Sequence, residues 1–231
     1  MTQSSTPPII AIIGCDGSGK TTVCLELERW LNSVHPTKLC HLGRQTGNIR
    51  RRLIKLPFLG KKLDKNITKT NKQAKSKKGP NALLALGIFI MSLRRVYRFY
   101  RMLSLRKQGF YILTDRFPQV AIIGGLDGPD LTTENPASSI TRLLTKLERS
   151  LYNWMINHTP DLVIRLNVTV ETAQQRKPDH RLESMIKKIG TLQQLTYNGA
   201  PIIDIDNNTQ PIEETINQAK KAIAKKLNIA S

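Results

Sequence analysis

The residues Gly14-Cys15-Asp16-Gly17-Ser18-Gly19-Lys20-Thr21, with Thr22 after them, have the types and spacing needed to hold a polyphosphate. They fill every fixed position of the pattern G-x-x-x-x-G-K-[ST]. Gly14, Gly17 and Gly19 let the backbone turn tightly and approach a ligand with no Cβ in the way. Successive N–H groups then point inward as an anion nest, and the following helix adds the partial positive charge of its N-terminus. In such a loop Lys20 reaches the β- and γ-phosphates of ATP, and the Thr21 hydroxyl sits on Mg2+. The rival reading is a Gly-rich turn that binds nothing. The flanks argue against it: Ile9 to Ile13 form an apolar, β-branched run, and Val23, Leu27, Trp30 and Leu31 follow at helical spacing.

A second chemical group stands at Asp115. The run Phe110-Tyr111-Ile112-Leu113-Thr114-Asp115 reads as an apolar strand ending in a carboxylate, followed at once by Arg116. A carboxylate at that place lies beside the phosphate loop and can hold Mg2+ directly or through water. Arg44 falls in the loop beyond a predicted strand at residues 38–42, where an open parallel sheet places ligand contacts. Both a substrate-phosphate contact and a solvated surface position fit it. Arg94 shares a helix face with Arg98 and Arg101, and either a solvated face or a phosphate-facing role fits that spacing. The four histidines, His35, His41, His158 and His180, show no metal-ligand spacing and read as surface or loop residues. Cys15, Cys24 and Cys40 leave one thiol over in any disulfide scheme and fit a reducing compartment.

Several elements must position these groups. A strand is expected over residues 9–13, and a helix from the loop to residue 33 that stops before His35-Pro36. A long helix follows over 81–107, its first half apolar nearly all round, as a core helix would be. After the 110–115 strand comes a Gly/Pro/Asp-rich loop that caps the carboxyl edge of the sheet. A helix over 138–157 carries Ile140, Leu143, Leu144, Leu147, Leu151 and Trp154 on one side, read as core. A strand over 162–168, a short helix to residue 177, a strand over 202–206 and a terminal helix over 211–227 complete an α/β pattern.

Composition adds a charge constraint. The 231 residues carry a net charge of +19, and the pI is near 10.2. Such a field favours anionic partners. Residues 44–80 hold thirteen cations against one anion, Asp64, and so twelve of the nineteen net charges. The stretch reads as a solvated basic insertion, or as a surface for a polyanion or an anionic membrane. Only Phe58 offers it an aromatic platform, which weighs against single-stranded nucleic acid. Residues 1–8 read as a disordered lead without the basic n-region of a signal peptide. The apolar stretch from Ala82 to Leu93 is too short to cross a bilayer, so no transmembrane segment and a cytoplasmic protein are expected.

The order of these parts resembles the thymidylate kinase family of P-loop nucleoside monophosphate kinases. The resemblance covers most of the chain outside residues 45–80. It rests on Asp16-Gly17-Ser18-Gly19-Lys20-Thr21-Thr22, on Asp115-Arg116-Phe117, and on Pro160-Asp161-Leu162 before the strand that leads to the lid. It implies one kinase-like domain over residues 1–231, a three-layer α/β/α fold with a mostly parallel five-stranded sheet, a basic insertion at 45–80 and a lid at 174–187. The implied activity is ATP-dependent phosphoryl transfer to a small anionic acceptor, first a nucleoside monophosphate. By resemblance, Asp16 faces the acceptor or metal region, Asp115 is the metal-site acid and Arg116 clamps the acceptor phosphate. Arg94 falls near the helix arginine that touches the acceptor, and Arg176 and Arg181 are lid cations.

The family's Arg-Glu-Pro-Gly segment is replaced here by Gly43-Arg44-Gln45-Thr46, and Pro118-Gln119-Val120-Ala121 stands where pyrimidine-recognition residues are usual. These departures keep two other readings open. One is a kinase for a non-nucleotide acceptor such as a sugar, in glycan biosynthesis. The other is a nucleotide-dependent, non-catalytic binding protein that uses its basic stretch. The apolar first half of the long helix also suits a homodimer face.

Overall fold

β1 (Ile9–Gly14) is apolar and buried along its whole length, which puts it at the centre of the sheet. The computed structural model describes residues 6–43, 80–131 and 138–229. Arg44, nearly all of the 45–80 insertion and most of the expected N-terminal lead therefore lie outside the described residues. On one flank of β1 lie β3 (Tyr111–Asp115) and then β2 (Thr37–His41); on the other lie β4 (Leu162–Asn167) and then β5 (Ile202–Asp206). Every pairing is parallel, so the strands end at a common carboxyl edge.

Alternation along β1 divides the core. Ile9, Ala11 and Ile13 pack with Phe99, Met102, Tyr152 and Met155 of α2 (Ala82–Lys107) and α3 (Ser139–Ile156). Ile10 and Ile12 pack with Val23, Leu27 and Leu31 of α1 (Lys20–Val34) and with Ile216, Ala219 and Ile223 of α6 (Ile212–Leu227). Helices thus cover both faces, as a parallel sheet requires. Between β4 and β5 run α4 (Val170–Arg176) and α5 (Leu182–Gln193). Side-chain caps start three helices: Asn81 accepts from Leu84 N at 2.9 Å, Ser138 from Thr141 N at 3.1 Å and Thr169 from Thr172 N at 3.3 Å.

Two expectations about buried faces are corrected. The first half of α2 is not a core helix: Leu83, Leu86, Ile90 and Leu93 are exposed, and the residues it buries are Ala85 and Ser92. On α3, Leu144 is buried as expected and Leu151 is half-buried, but Ile140, Leu143, Leu147 and Trp154 are exposed. The inward face of α3 is instead Thr141, Leu144, Thr145, Glu148, Tyr152 and Met155. The physical reason is hydrogen bonding. Fully buried Glu148 accepts from Ser92 Oγ at 2.5 Å and from Leu131 N at 2.9 Å, anchoring the loop that follows β3. Satisfied polar groups can line a core, and an apolar stripe can then face outward.

No described helix is long and apolar enough to cross a membrane.

Candidate active site

The chain turns sharply between the end of β1 and the start of α1. Gly17 and Gly19 hold φ of 84° and 81°, a left-handed conformation that side chains resist. At Gly14 an added Cβ would overlap Ser18 Oγ and lie 3.0 Å from Leu166 O, so a side chain there would press on both the loop and the neighbouring strand. Lys20, buried in the first turn of α1, donates across the loop to Cys15 O at 2.5 Å. Burial pulls its pKa down and Arg116 adds to that, while Asp115 and Asp16 oppose it. Cys15 is buried, and burial pushes its thiol pKa up. Ser18 is fully buried, and its Oγ has no hydrogen-bond partner. Thr21 and Thr22 stand exposed at the first turn of α1.

The loop is held from behind by a residue that no motif marks. Asn207, just past β5, donates through Nδ2 to Ser18 O at 3.0 Å and accepts from Thr215 Oγ1 at 3.0 Å. It is 1% exposed, so those bonds are shielded from water. Arg176, at the end of α4, donates to Gly17 O and to Asn208 O, both at 3.2 Å.

β3 pairs with β1 so that Asp115 is in register with Ile12, two residues before the loop begins. The carboxylate and the loop therefore share one end of two adjacent strands. Asp115 Oδ2 lies 3.4 Å from His41 Nδ1 on β2, while its buried Oδ1 has no hydrogen-bond partner. Burial alone would raise the Asp115 pKa, but the His41 hydrogen bond, Arg116 and Lys20 together hold it below the usual carboxylate range. That hydrogen bond in turn raises the His41 pKa. Among the described residues, no group of three or more His, Cys, Asp and Glu is placed to hold a metal by itself. An Mg2+ ion shared between protein and phosphate oxygens needs less, only one or two carboxylates. The orphaned Asp115 oxygen fits that demand, and the exposed Thr21 hydroxyl is a donor of the same hard-oxygen kind.

Arg116 adopts φ 77°. Its guanidinium lies 3.6 Å from Asp16 Oδ1 and 3.6 Å from Asp127 Oδ2. Asp127 is the largest cause of its raised pKa. Asp127 also takes Arg95, through Nη2 to Oδ1 at 2.7 Å and Nη1 to its carbonyl at 2.7 Å. Arg95 is 2% exposed and donates further to Leu42 O at 2.9 Å and Tyr152 OH at 3.1 Å.

Asp16 is ringed by cations. Lys188 of α5 makes an ion pair and hydrogen bond with it, His180 Nδ1 lies at 3.4 Å, and Arg116 completes the ring. Burial alone would raise the Asp16 pKa, but Lys188 first, then Lys20 and Arg116, outweigh it and bring it to about 2.

The structure thus brings together Asp16, Lys20, Asp115, Arg116 and the loop glycines, with Arg176 against the loop. It does not bring Arg94 or Arg181 to the cluster. Arg94 is exposed on the outer side of α2, while its neighbour Arg95 faces inward. Arg181 is exposed at the start of α5. The motifs gave no sign of Arg95, Asp127, Lys188, Asn207, His41 or His180. For His41 the signal was present: it ends β2 at the ligand edge of the sheet, as the rule applied to Arg44 would have shown.

No family model matches the chain. It is 37% identical over 224 residues to the uncharacterized ATP-binding protein YghS of Escherichia coli strain K12, covering 95% of this chain and 94% of that protein. The uncharacterized ATP-binding protein YghR of the same strain is 35% identical over 221 residues, covering 94% of this chain and 87% of that protein. Among solved structures, deoxyadenosine kinase from M. mycoides with bound dCTP is similar, with a TM-score of 0.53 at 14% identity, over 94% of this chain and 99% of that one. At that identity the likeness is one of fold: a five-stranded parallel sheet with helices on both faces, as in that kinase.

Proposed function

This chain belongs to the same family as the ATP-binding proteins YghS and YghR, and from that premise we propose that it transfers the γ-phosphoryl group of ATP to a small phosphorylated acceptor. The observation that carries the reading is the register of Asp115 with Ile12, which sets a carboxylate with a free buried oxygen beside the phosphate loop. In the transfer, an acceptor oxygen bonds to the γ-phosphorus as the bond from that phosphorus to the bridging oxygen breaks, and ADP leaves. Little covalent chemistry falls to the protein; alignment and charge stabilisation dominate.

Gly14, Cys15, Asp16, Gly17, Ser18, Gly19, Thr21 and Thr22 form the ATP cradle, with Lys20 on the β- and γ-phosphates. Thr21 and Asp115 are the residues that would hold Mg2+, which when bound draws charge from the β- and γ-oxygens. Arg116, fixed between Asp16 and Asp127, offers its guanidinium to the acceptor phosphate. Arg176 and Lys188 lie on the lid side of the loop, and Arg181 is the cation free to move in when the lid closes. Arg44 is assigned an acceptor contact.

A nucleoside monophosphate is the acceptor we place first. One observation favours a second reading, a sugar or other non-nucleotide acceptor. Gln119, in the segment where the thymidylate kinase family reads its pyrimidine, is 3% exposed. Its amide donates to Ile122 O at 2.9 Å and Leu126 O at 3.0 Å and accepts from Ile122 N at 2.9 Å. Those bonds use both of its donors and one of its acceptor sites, and burial withholds the remainder from a base.

The test is a product-mass screen with ATP and Mg2+ against nucleoside monophosphates, nucleosides and sugar phosphates, with Lys20→Ala as the inactive control. One acceptor is expected to gain a phosphoryl group with the native protein and not with the variant. A protein that phosphorylates nothing and gives no heat with Mg-ATP in a calorimeter overturns the reading.

A further inference from the structure

We infer that His41 is a positioning residue for the metal: it fixes the carboxylate of Asp115 through Oδ2, so that Oδ1 is the oxygen left for Mg2+. The inference rests on the phosphoryl-transfer reading, in which Asp115 and Thr21 hold the ion. The strands place the pair. β2 and β3 run parallel with His41 opposite Asp115. Side chains alternate along a strand, so partners in register leave the sheet on the same side. Two residues back on each strand, Leu39 and Leu113 pack in the core beneath α1. Asp115 and His41 therefore emerge on the side of the sheet that α1 covers, and the first turn of α1 carries Lys20 and Thr21.

A half-exposed histidine at a strand end needs no special account when it meets only water. Three observations set His41 apart. First, its ring meets one oxygen of a carboxylate. An ionised carboxylate only accepts, so Nδ1–H donates to Asp115 Oδ2, at 3.4 Å. Second, the other oxygen, Oδ1, is buried with no hydrogen-bond partner. A buried acceptor left unpaired is costly unless an ion or a water meets it. One oxygen held and the other bare presents a single ligand to Mg2+, which takes one or two carboxylates beside phosphate oxygens and demands near-ideal octahedral geometry. Third, the chain around His41 is braced from three sides. Leu39 N donates to Glu28 Oε1 of α1 at 3.0 Å, and Leu42 N to Asp115 O at 3.2 Å. On the α2 side, Leu42 O accepts from Arg95 Nε at 2.9 Å and Gly43 O from Arg98 Nη1 at 2.5 Å. A side chain on so constrained a strand end can set the orientation of its neighbour. Partners that orient a metal ligand in this way commonly change metal affinity by about 10- to 100-fold.

The test is calorimetric binding of ATP to the full chain, in Mg2+ and in EDTA, for the native protein and for His41→Ala, His41→Asn, Asp115→Asn and His41→Ala combined with Asp115→Asn. The native protein is expected to bind Mg-ATP more tightly than metal-free ATP. His41→Ala should cut that ratio about 10-fold while leaving the affinity for metal-free ATP unchanged, a split that lost stability alone would not give. His41→Asn, which sets an amide N–H where Nδ1 stood, should restore most of the ratio. In the double variant the two losses should not add, because His41 acts through Asp115. Three results overturn the inference and leave phosphoryl transfer standing: equal native affinity with and without the ion, a ratio unmoved in His41→Ala, or additive losses, which would make His41 a ligand contact in its own right. A native protein that binds no Mg-ATP overturns the inference together with the reading on which it rests.

Discussion

Asp127 holds two arginines at once, and its position explains why Arg116 points where it does. Its backbone is left-handed, φ 56°, a conformation that Asp and Asn tolerate better than most residues. Asp127→Asn therefore removes the charge while keeping the turn. We expect kcat/KM for the anionic acceptor to fall about 10- to 100-fold, with the KM for ATP little changed. Steady-state kinetics with each substrate varied in turn would show the split, and equal effects on both substrates would contradict it. Asp16 yields a pH prediction. Its pKa is depressed in the folded protein to about 2, from 3.8. The stability from its cation ring is thus fully present above pH 3.8 and is lost as pH falls toward 2. Asp16→Asn should flatten the loss of Tm across that window in a thermal scan. The loop residues were legible because they are contiguous and each type has one geometric purpose. Lys188 and Asn207 were not, because each reaches the loop from more than 170 positions away.

At the level of elements, the strands could be read within a residue or so, since short β-branched runs bounded by breakers have few other uses. The helices could be located, and Val23, Leu27 and Leu31 oriented α1 correctly, but α3 and the first half of α2 could not be oriented. On α3 the apolar periodicity is real, yet the stripe faces outward, and Thr141, Thr145 and Glu148 point in. Periodicity finds a face; only tertiary partners say which face is inside. Glu148 shows the cost of a mistake. Glu148→Ala would strip acceptors from Leu131 N and Ser92 Oγ in a buried setting. We expect a loss of about 3 kcal/mol, read as a lower Cm with an unchanged m-value. Glu148→Gln, which keeps one acceptor, should recover part of it. If the alanine variant matches the native Cm, the inward reading of this face fails.

Across the whole molecule, the sheet order β2-β3-β1-β4-β5 puts the phosphate loop on the central strand, with chemistry arriving from both sides. The fold class was legible because an alternating strand–helix pattern with a phosphate loop admits few topologies. The acceptor was not, because Gln119, in the segment that differs from the thymidylate kinase pattern, is buried and bonded within its own loop. Net charge acts at this scale. With +19 on 231 residues, association with any polyanionic ligand should be steered and salt-sensitive. We expect the KM for Mg-ATP to rise steadily with added NaCl, faster than for a variant in which surface lysines outside the site are changed to glutamine. Parallel salt curves would remove the long-range contribution.

The tie from Asn207 to Ser18 has a practical corollary for anyone trimming this polypeptide. The amino-terminal cradle borrows its rigidity from the other end of the chain, where Asn207 is itself braced by Thr215 in the last helix. A stop codon or protease cut just after β5 would leave every motif residue in place and still disarm it. Such a shortened form, kept folded, should fail to be retained on immobilised ATP. Fragments chosen by motif alone will therefore mislead.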